Sequence, residues 1–341
     1  NTTVQNDGTL SVGDFDATNL TFTSGTLNTT GSLTNYSNSA GQTLNLNSGG
    51  SWDVGDSPTF NGDVNLAGGS LDVQSFNSDQ LTSFTSGTLN ASGTVTVGAD
   101  DASPTWGGAM TGTGSLSKSG TGTLTLGGTN DYSGGTTVSN GTLAIYTTGS
   151  ITHASSTLSV GTVDGNTATL TVADGATITN NYGYLGSASG STGTATVEGT
   201  WNNESLRVGY NGNGSLTIAD GGLVANAASF VGYFAGSTSS ITVRGDMTND
   251  GYLRIGYGGE GTVTVADGGS ISAGGSLAVT LANNSGSTGT LNIGDGAAAG
   301  VVNAPFINGG SGTATVNFNH TDSDYHLTTD GTANGTAVDL T

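Results

Sequence analysis

Gly214-Ser-Leu-Thr-Ile-Ala-Asp-Gly221 is written four times in this chain. The other copies are Thr167-Ala-Thr-Leu-Thr-Val-Ala-Asp-Gly175, Gly261-Thr-Val-Thr-Val-Ala-Asp-Gly268 and Gly289-Thr-Leu-Asn-Ile-Gly-Asp-Gly296. Asp174, Asp220 and Asp267 stand 46 and 47 residues apart, and Asp295 follows after a shortened 28. A second ladder runs beside the first: Leu206-Arg-Val-Gly-Tyr210 returns as Leu253-Arg-Ile-Gly-Tyr257, and Thr196-Val-Glu-Gly199 as Thr242-Val-Arg-Gly245. The chain is therefore built on a unit of about 46 residues, and periods of that size mark repeat architectures.

Each copy alternates apolar and polar residues, with Leu170 and Val172, Leu216 and Ile218, Val263 and Val265, and Leu291 and Ile293 on one face. Period-2 alternation reads as a half-buried strand. Asp-Gly closes each copy, where a turn needs a residue that tolerates positive φ. Within one unit the strands centre near Val197, Val208, Ile218 and Val231, with Val243 opening the next. No i, i+3, i+4 apolar pattern is visible, and the abundant Gly, Thr, Ser, Asn and Asp are poor helix formers.

Strands that each bury one row of side chains are covered by stacking on their neighbours. The expected fold is all-β, a right-handed parallel β-helix with no significant helix. With about 23 residues per rung the chain makes about 15 rungs, and at about 4.8 Å per rung the rod is about 70 Å long. A propeller also suits a period near 46. Against it, the first 150 residues repeat differently, Phe22-Thr-Ser-Gly-Thr-Leu-Asn28 returning 62 residues on as Phe84-Thr-Ser-Gly-Thr-Leu-Asn90. The expected organisation is a single solenoid over 1–341, with irregular N-terminal rungs in 1–105, a distinct region at 106–150, the 46-residue repeats in 151–300 and C-terminal rungs in 301–341.

Of the 341 residues, 61 are Gly, 25 are acidic and only 4 are Lys or Arg, for a formal net charge of -21. Nucleic-acid binding depends on Lys and Arg that displace counterions, so it is not expected, and an anionic membrane is disfavoured by the same sign. No stretch approaches the ~18 apolar residues of a spanning helix. The chain opens at Asn1 without a basic-then-apolar leader, which is read as a removed or absent targeting segment. There is no Cys, hence no disulfide framework and no thiolate metal site.

Gly120-Thr-Gly-Thr-Leu-Thr-Leu-Gly-Gly-Thr-Asn-Asp-Tyr-Ser-Gly-Gly-Thr-Thr-Val-Ser-Asn-Gly-Thr-Leu-Ala-Ile145 resembles the passenger-associated transport repeat of bacterial autotransporters. The units ending at Asp220-Gly221 and Asp267-Gly268, and Val316-Asn-Phe-Asn-His-Thr-Asp-Ser-Asp-Tyr325, are similar to repeats of AIDA-type adhesin passengers. The resemblance covers about residues 106–330. It implies a β-helical passenger exported through a C-terminal outer-membrane barrel to the cell surface or the medium, serving adhesion, self-association or biofilm formation. No barrel-like segment follows Thr341, so the barrel is expected to be missing from this chain. The partners implied are the protein itself on neighbouring cells, or a host or environmental glycan or protein. The alternatives are a structural subunit of an extracellular filament or sheath and, more distantly, a polysaccharide-modifying β-helix enzyme.

Several residue groups were weighed as sites. His320, Asp322, Asp324 and His326 alternate as strand residues on one face do, a pattern that suits zinc or manganese, although the same polar residues read equally as a structural edge. Stacked Asp-Gly corners offer carboxylates to calcium, but the calcium-roll nonapeptide is missing and Asp before Gly is ordinary turn chemistry. No resident cofactor is expected. Asp100-Asp101 and Glu198 with Glu204 are the carboxylates from which a glycosidase pair would have to come. His153 is the one base left for a triad, with no nucleophile elbow beside it. The expectation is that no catalytic residue is present. Arg207 and Arg254 occupy equivalent repeat positions and are expected to face Glu or Asp on neighbouring rungs. Tyr184, Tyr210, Tyr233 and Tyr257 lie just before or after the Gly that ends an equivalent strand, so they are expected to form an aromatic ladder along one edge, structural or glycan-binding. Thr and Ser in outward positions offer glycosylation sites, and the Thr columns read as too irregular for an ice-binding face.

Overall fold

The computed structural model describes residues 101–274 and 279–322 without a break, and before residue 101 a series of strands separated by short undescribed stretches. Among the described residues every regular element is a strand and none is a helix. The strands pair in parallel and stack as a β-solenoid. The chain divides into two compact units, the first comprising residues 1–136 and 143–153 and the second 137–142 and 154–341.

In the first unit the rungs are short. Thr9 pairs with Thr26, Gly25 with Gln42 and Thr43 with Asp63, steps of 17, 17 and 20 residues, and Thr105 pairs with Thr125 after 20 more. Leu44, Leu46, Leu71, Phe84, Leu89, Trp106, Met110 and Leu126 are buried, and the Phe84 and Trp106 rings meet at 5.7 Å.

The second unit explains the 46-residue period. On one sheet Thr167–Val172, Thr192–Val197, Asn213–Ile218, Thr238–Val243, Glu260–Val265, Thr288–Ile293 and Thr313–Phe318 follow one another in register. Thr167 pairs with Thr192 and Thr192 with Asn213, steps of 25 and 21 residues; Gly214 then pairs with Ser239 and Thr238 with Glu260, steps of 25 and 22. The repeat unit is thus two unequal rungs. On the other sheet Thr177, Thr200, Leu223, Asp246 and Ser270 pair in turn at nearly constant steps of 23, 23, 23 and 24. The turns between the sheets absorb the difference, because loop length is loosely constrained and strand register is not.

The alternation places one apolar column over another. Leu170, Ala195, Leu216, Ile241, Val263, Leu291 and Val316 are aligned by the ladder and all buried. Leu185, Val208, Val231, Ile255 and Leu281 form the matching column opposite. At about 1.5–3 kcal/mol per fully buried aliphatic side chain, these columns are what holds the rungs together. Gly175, Gly221, Gly268 and Gly296 have φ of 79°, 78°, 77° and 98°, the positive values expected of the Asp-Gly turns.

The outward residues of the first sheet form three further columns, one of which includes Glu260; the other two are Thr169, Thr194, Ser215, Ser240, Thr262, Thr290 and Thr315, then Thr171, Thr196, Thr217, Thr242, Thr264, Asn292 and Asn317. Neighbouring rungs touch through them, Thr169 Oγ1 lying 2.9 Å from Thr194 Oγ1 and Asn317 Nδ2 donating to Asn292 Oδ1 at 2.9 Å. The Thr columns, irregular in sequence because rung lengths alternate, are regular in space.

Candidate functional site

Strand register decides which side chains of the second unit meet at its edge. Tyr184 pairs with Arg207, Arg207 with Phe230 and Phe230 with Arg254, so one position of the rung alternates aromatic and cation. Two residues earlier, Tyr182, Ser205, Ala228 and Tyr252 are aligned in the same way. Three residues later, in the turn that follows each strand, stand Tyr210, Tyr233 and Tyr257. These three columns interlock into one aromatic and cationic patch.

The rings of Tyr184, Tyr210, Tyr233 and Tyr257, expected as an exposed aromatic ladder, stand next to one another in that order. Ring centroids are 4.8 Å apart for Tyr184 and Tyr210, 5.2 Å for Tyr210 and Tyr233, and 4.9 Å for Tyr233 and Tyr257, with interplanar angles of 28°, 40° and 33°. They are half-buried, and their faces turn toward one another along the stack. The Tyr184 hydroxyl accepts from Arg207, and ring faces stacked on one another differ from the open platform that sugar stacking uses. Tyr184 belongs to the strand column and the other three to the turn column, so the ladder changes position at its first step. Phe230, 8% exposed, meets Tyr233, Tyr252 and Tyr257 edge-on at 5.1, 5.5 and 5.1 Å. Tyr182 and Phe234 are the open members, at 36% and 44% exposure.

The arginines overturn one expectation. Neither Arg207 nor Arg254 faces a carboxylate; among the described residues the ion pair is Arg244 to Asp295, at 2.7 Å. Arg207 instead donates from Nη1 to the Tyr184 hydroxyl at 2.7 Å, and its guanidinium lies 4.8 Å from the Tyr233 centroid, 5.2 Å from Tyr184 and 5.4 Å from Tyr210. Arg254 lies 4.6 Å over Tyr252 and 5.4 Å from Tyr257. Their register neighbours are Tyr184, Phe230 and Thr280, none of them acidic. A cation over a ring face is worth about 0.5–1 kcal/mol when exposed and about 2 when desolvated. Burial raises the Tyr184 phenol above its ordinary range, and Arg207 opposes that in part.

Beneath the patch runs a polar column that the repeat analysis missed. Asn180, Asn203, Asn226 and Asn249 all point inward and are buried. Asn180 Nδ2 donates to Asn203 Oδ1 at 2.8 Å and Asn203 Nδ2 to Asn226 Oδ1 at 3.0 Å, while Trp201 Nε1 caps the Asn180 oxygen at 2.7 Å. The ladder stops at Asn226, whose Nδ2 has no acceptor. Asn249 Oδ1 takes the Ser229 hydroxyl instead, at 2.5 Å. The cause is one extra residue: Asp246–Ile255 has ten residues where Leu223–Val231 has nine, and the register slips between Asn226 and Ala228. The signal was in the sequence, since the four asparagines are spaced by 23. So was the alternation of Tyr184, Arg207, Phe230 and Arg254, at 23, 23 and 24, hidden behind the stronger 46-residue Asp-Gly signature.

Among the described residues the other candidates form no cluster. Asp322 Oδ2 accepts the Ala299 N–H at 2.8 Å, and the His320 ring lies 6.2 Å from that of Phe318. Asp324 and His326 fall outside the described residues, among which no cluster of three or more His, Asp or Glu could hold a metal. Of the Asp-Gly corners, Asp295 pairs with Arg244. Asp100 is outside the described residues, and Asp101 accepts the Thr121 N–H, which holds its carboxyl below the ordinary range. Glu198 and Glu204 are exposed. His153 is buried, its Nε2 3.0 Å from Thr136 Oγ1, which in turn is 2.5 Å from the Tyr132 hydroxyl.

Residues 116–145 match the family model of the passenger-associated-transport-repeat, found in autotransporter passengers and implying export to the cell surface or extracellular space. No curated protein and no solved structure matches the chain. The matched residues are structural: Asn130 Oδ1 accepts Met110 N–H at 3.0 Å, and its Nδ2 donates to the Gly128 and Ser150 carbonyls at 2.9 Å each. Lys118 is buried and bonded through Nζ to the Ser119 and Gly120 carbonyls, and burial lowers its pKa.

Proposed function

We propose that this β-solenoid, with its autotransporter passenger repeat, serves as a non-enzymatic passenger that mediates adhesion and self-association at a bacterial surface, the basis of biofilm cohesion. The observation that carries the reading is the outward face of the second unit, where seven successive rungs present two columns made only of Thr, Ser and Asn. Two copies of a chain with net charge -21 repel one another. These two columns carry no charged residue, the third outward column holding Glu260, so they are where the copies approach at least electrostatic cost, and their hydroxyls and amides supply many weak contacts in place of one hot spot.

Display of the chain on a non-clumping bacterium, with settling followed over time, tests this. Thr194→Glu with Thr217→Glu places charge in both columns while leaving the buried columns intact. The expectation is that the parent chain causes settling and the double variant restores dispersed cells; equal settling of the two would overturn the role given to this face.

A further inference from the structure

Arg207 and Arg254 are two of only four basic residues in a chain with 25 acidic ones, yet both are set among aromatic rings rather than against carboxylates. Glu204 and Asp250, the acidic residues nearest to them in sequence, are exposed and pair with neither. A guanidinium carries five N–H donors. Arg207 gives one bond, to Tyr184, and Arg254 makes no side-chain hydrogen bond to a described residue; the Nε of each is buried without an acceptor. The rings hold the cations in place by cation–π attraction; the buried Nε atoms face inward, and the Nη donors of these half-buried side chains that the protein does not use are the ones left for a ligand.

Resting on the adhesion reading, we propose that this patch binds an acidic polysaccharide, whose anionic groups pair with Arg207 and Arg254 while its sugars lie along the accessible parts of Tyr210, Tyr233 and Tyr257. Three features favour that ligand. Tyr210, Tyr233 and Tyr257 are half-buried, so part of each ring is accessible, and a phenol hydroxyl can bond a sugar hydroxyl where it could not bond an apolar surface. From Tyr210 through Tyr233 to Tyr257 the patch repeats along the turn column, with ring steps of 5.2 and 4.9 Å, so it suits a chain rather than a single small molecule. Arg207 and Arg254 are two rungs apart in register, roughly 10 Å. A polymer charged on alternate sugars places its anions at such wider intervals. A nucleic acid, charged on every nucleotide, meets more repulsion from an acidic protein for the same two cations.

The purified chain is titrated calorimetrically with hyaluronan, which carries a carboxylate on alternate sugars, with chondroitin sulfate, which adds sulfate, with neutral dextran and with single-stranded DNA. Binding of hyaluronan or chondroitin sulfate but not dextran is expected, the pair separating carboxylate from sulfate as the preferred anion. Arg207→Gln with Arg254→Gln should weaken it at least tenfold. Arg244→Gln, which lies at the Asp295 pair, should leave it unchanged, and Arg254→Lys should retain part of it. Near-ultraviolet circular dichroism checks the fold of each variant. Should the double variant fail to fold, the parent chain's ligand panel and Arg254→Lys still decide. Absence of acidic-glycan binding, equal binding of dextran, preference for DNA, or full affinity in a folded double variant would each overturn the site. Because settling of displaying cells is measured separately, clumping without glycan binding sinks this site alone, whereas glycan binding without clumping sinks self-association alone.

Discussion

Asn203 is the residue on which the polar interior of the second unit turns, since it accepts from Asn180 and donates to Asn226. Removing it strands a buried donor on one side and a buried acceptor on the other, each costing about 1–3 kcal/mol. Asn203→Ala should therefore lower unfolding free energy by about 2–4 kcal/mol, measured by urea denaturation, and Asn249→Ala, where the ladder is already broken, by less. Asp101 offers a pH-dependent counterpart in the first unit. The Thr121 N–H lowers its pKa below the ordinary 3.8, so its contribution is present above that pH and is lost as pH falls through the lowered value. Asp101→Asn tolerates the positive φ of 62° at this site. The gap in urea midpoint between parent and variant should be constant from neutral pH down to about 4 and close below it; a gap that persists in acid would contradict this assignment.

Among the elements, two glycines separate two mechanisms. A Cβ at Gly183 would stand 2.5 Å from Asn203 Oδ1 and 2.9 Å from Trp201, so Gly183→Ala drives a methyl into the amide ladder. Overpacking of this kind costs about 1–3 kcal/mol. At Gly221, with φ of 78°, no atom lies near the same methyl. Gly221→Ala suffers only the left-handed backbone, about 1–2 kcal/mol. If packing is the cause at Gly183, the loss there is relieved by Asn203→Ala in a double-mutant cycle, while the loss at Gly221 adds independently. The strand holding Gly251 shows a complementary feature: one residue is inserted after Asn249, the apolar column resumes its register at Val231 and Ile255, and the amide ladder ends at Asn226 beside the insertion.

At the scale of the whole chain the charge of -21 sets opposite salt responses for the two proposed activities. Self-association proceeds against repulsion, so raising ionic strength from very low values toward 0.15 M, where screening acts over about 8 Å, should strengthen it. Pairing of Arg207 and Arg254 with an acidic glycan is attractive and should weaken over the same range. Sedimentation velocity and calorimetry on one protein stock check both signs, and a common direction would contradict one of the two assignments.

The repeat itself determined the fold class: alternation of apolar and polar residues in four aligned copies dictates strands, and strands that bury one row each must stack. The Asp-Gly corners and the tyrosine ladder were legible for the same reason, being tied to fixed positions in a repeated unit. Tertiary structure decided what those positions touch. Two rungs of unequal length make one repeat, so equivalent residues in sequence, such as Arg207 and Arg254, are next-nearest neighbours in space with Phe230 between them. Opposite charge suggested carboxylate partners for the arginines, but a side chain meets whatever the ladder places one rung away. Here that is an aromatic ring, and only the register of the strands could say so.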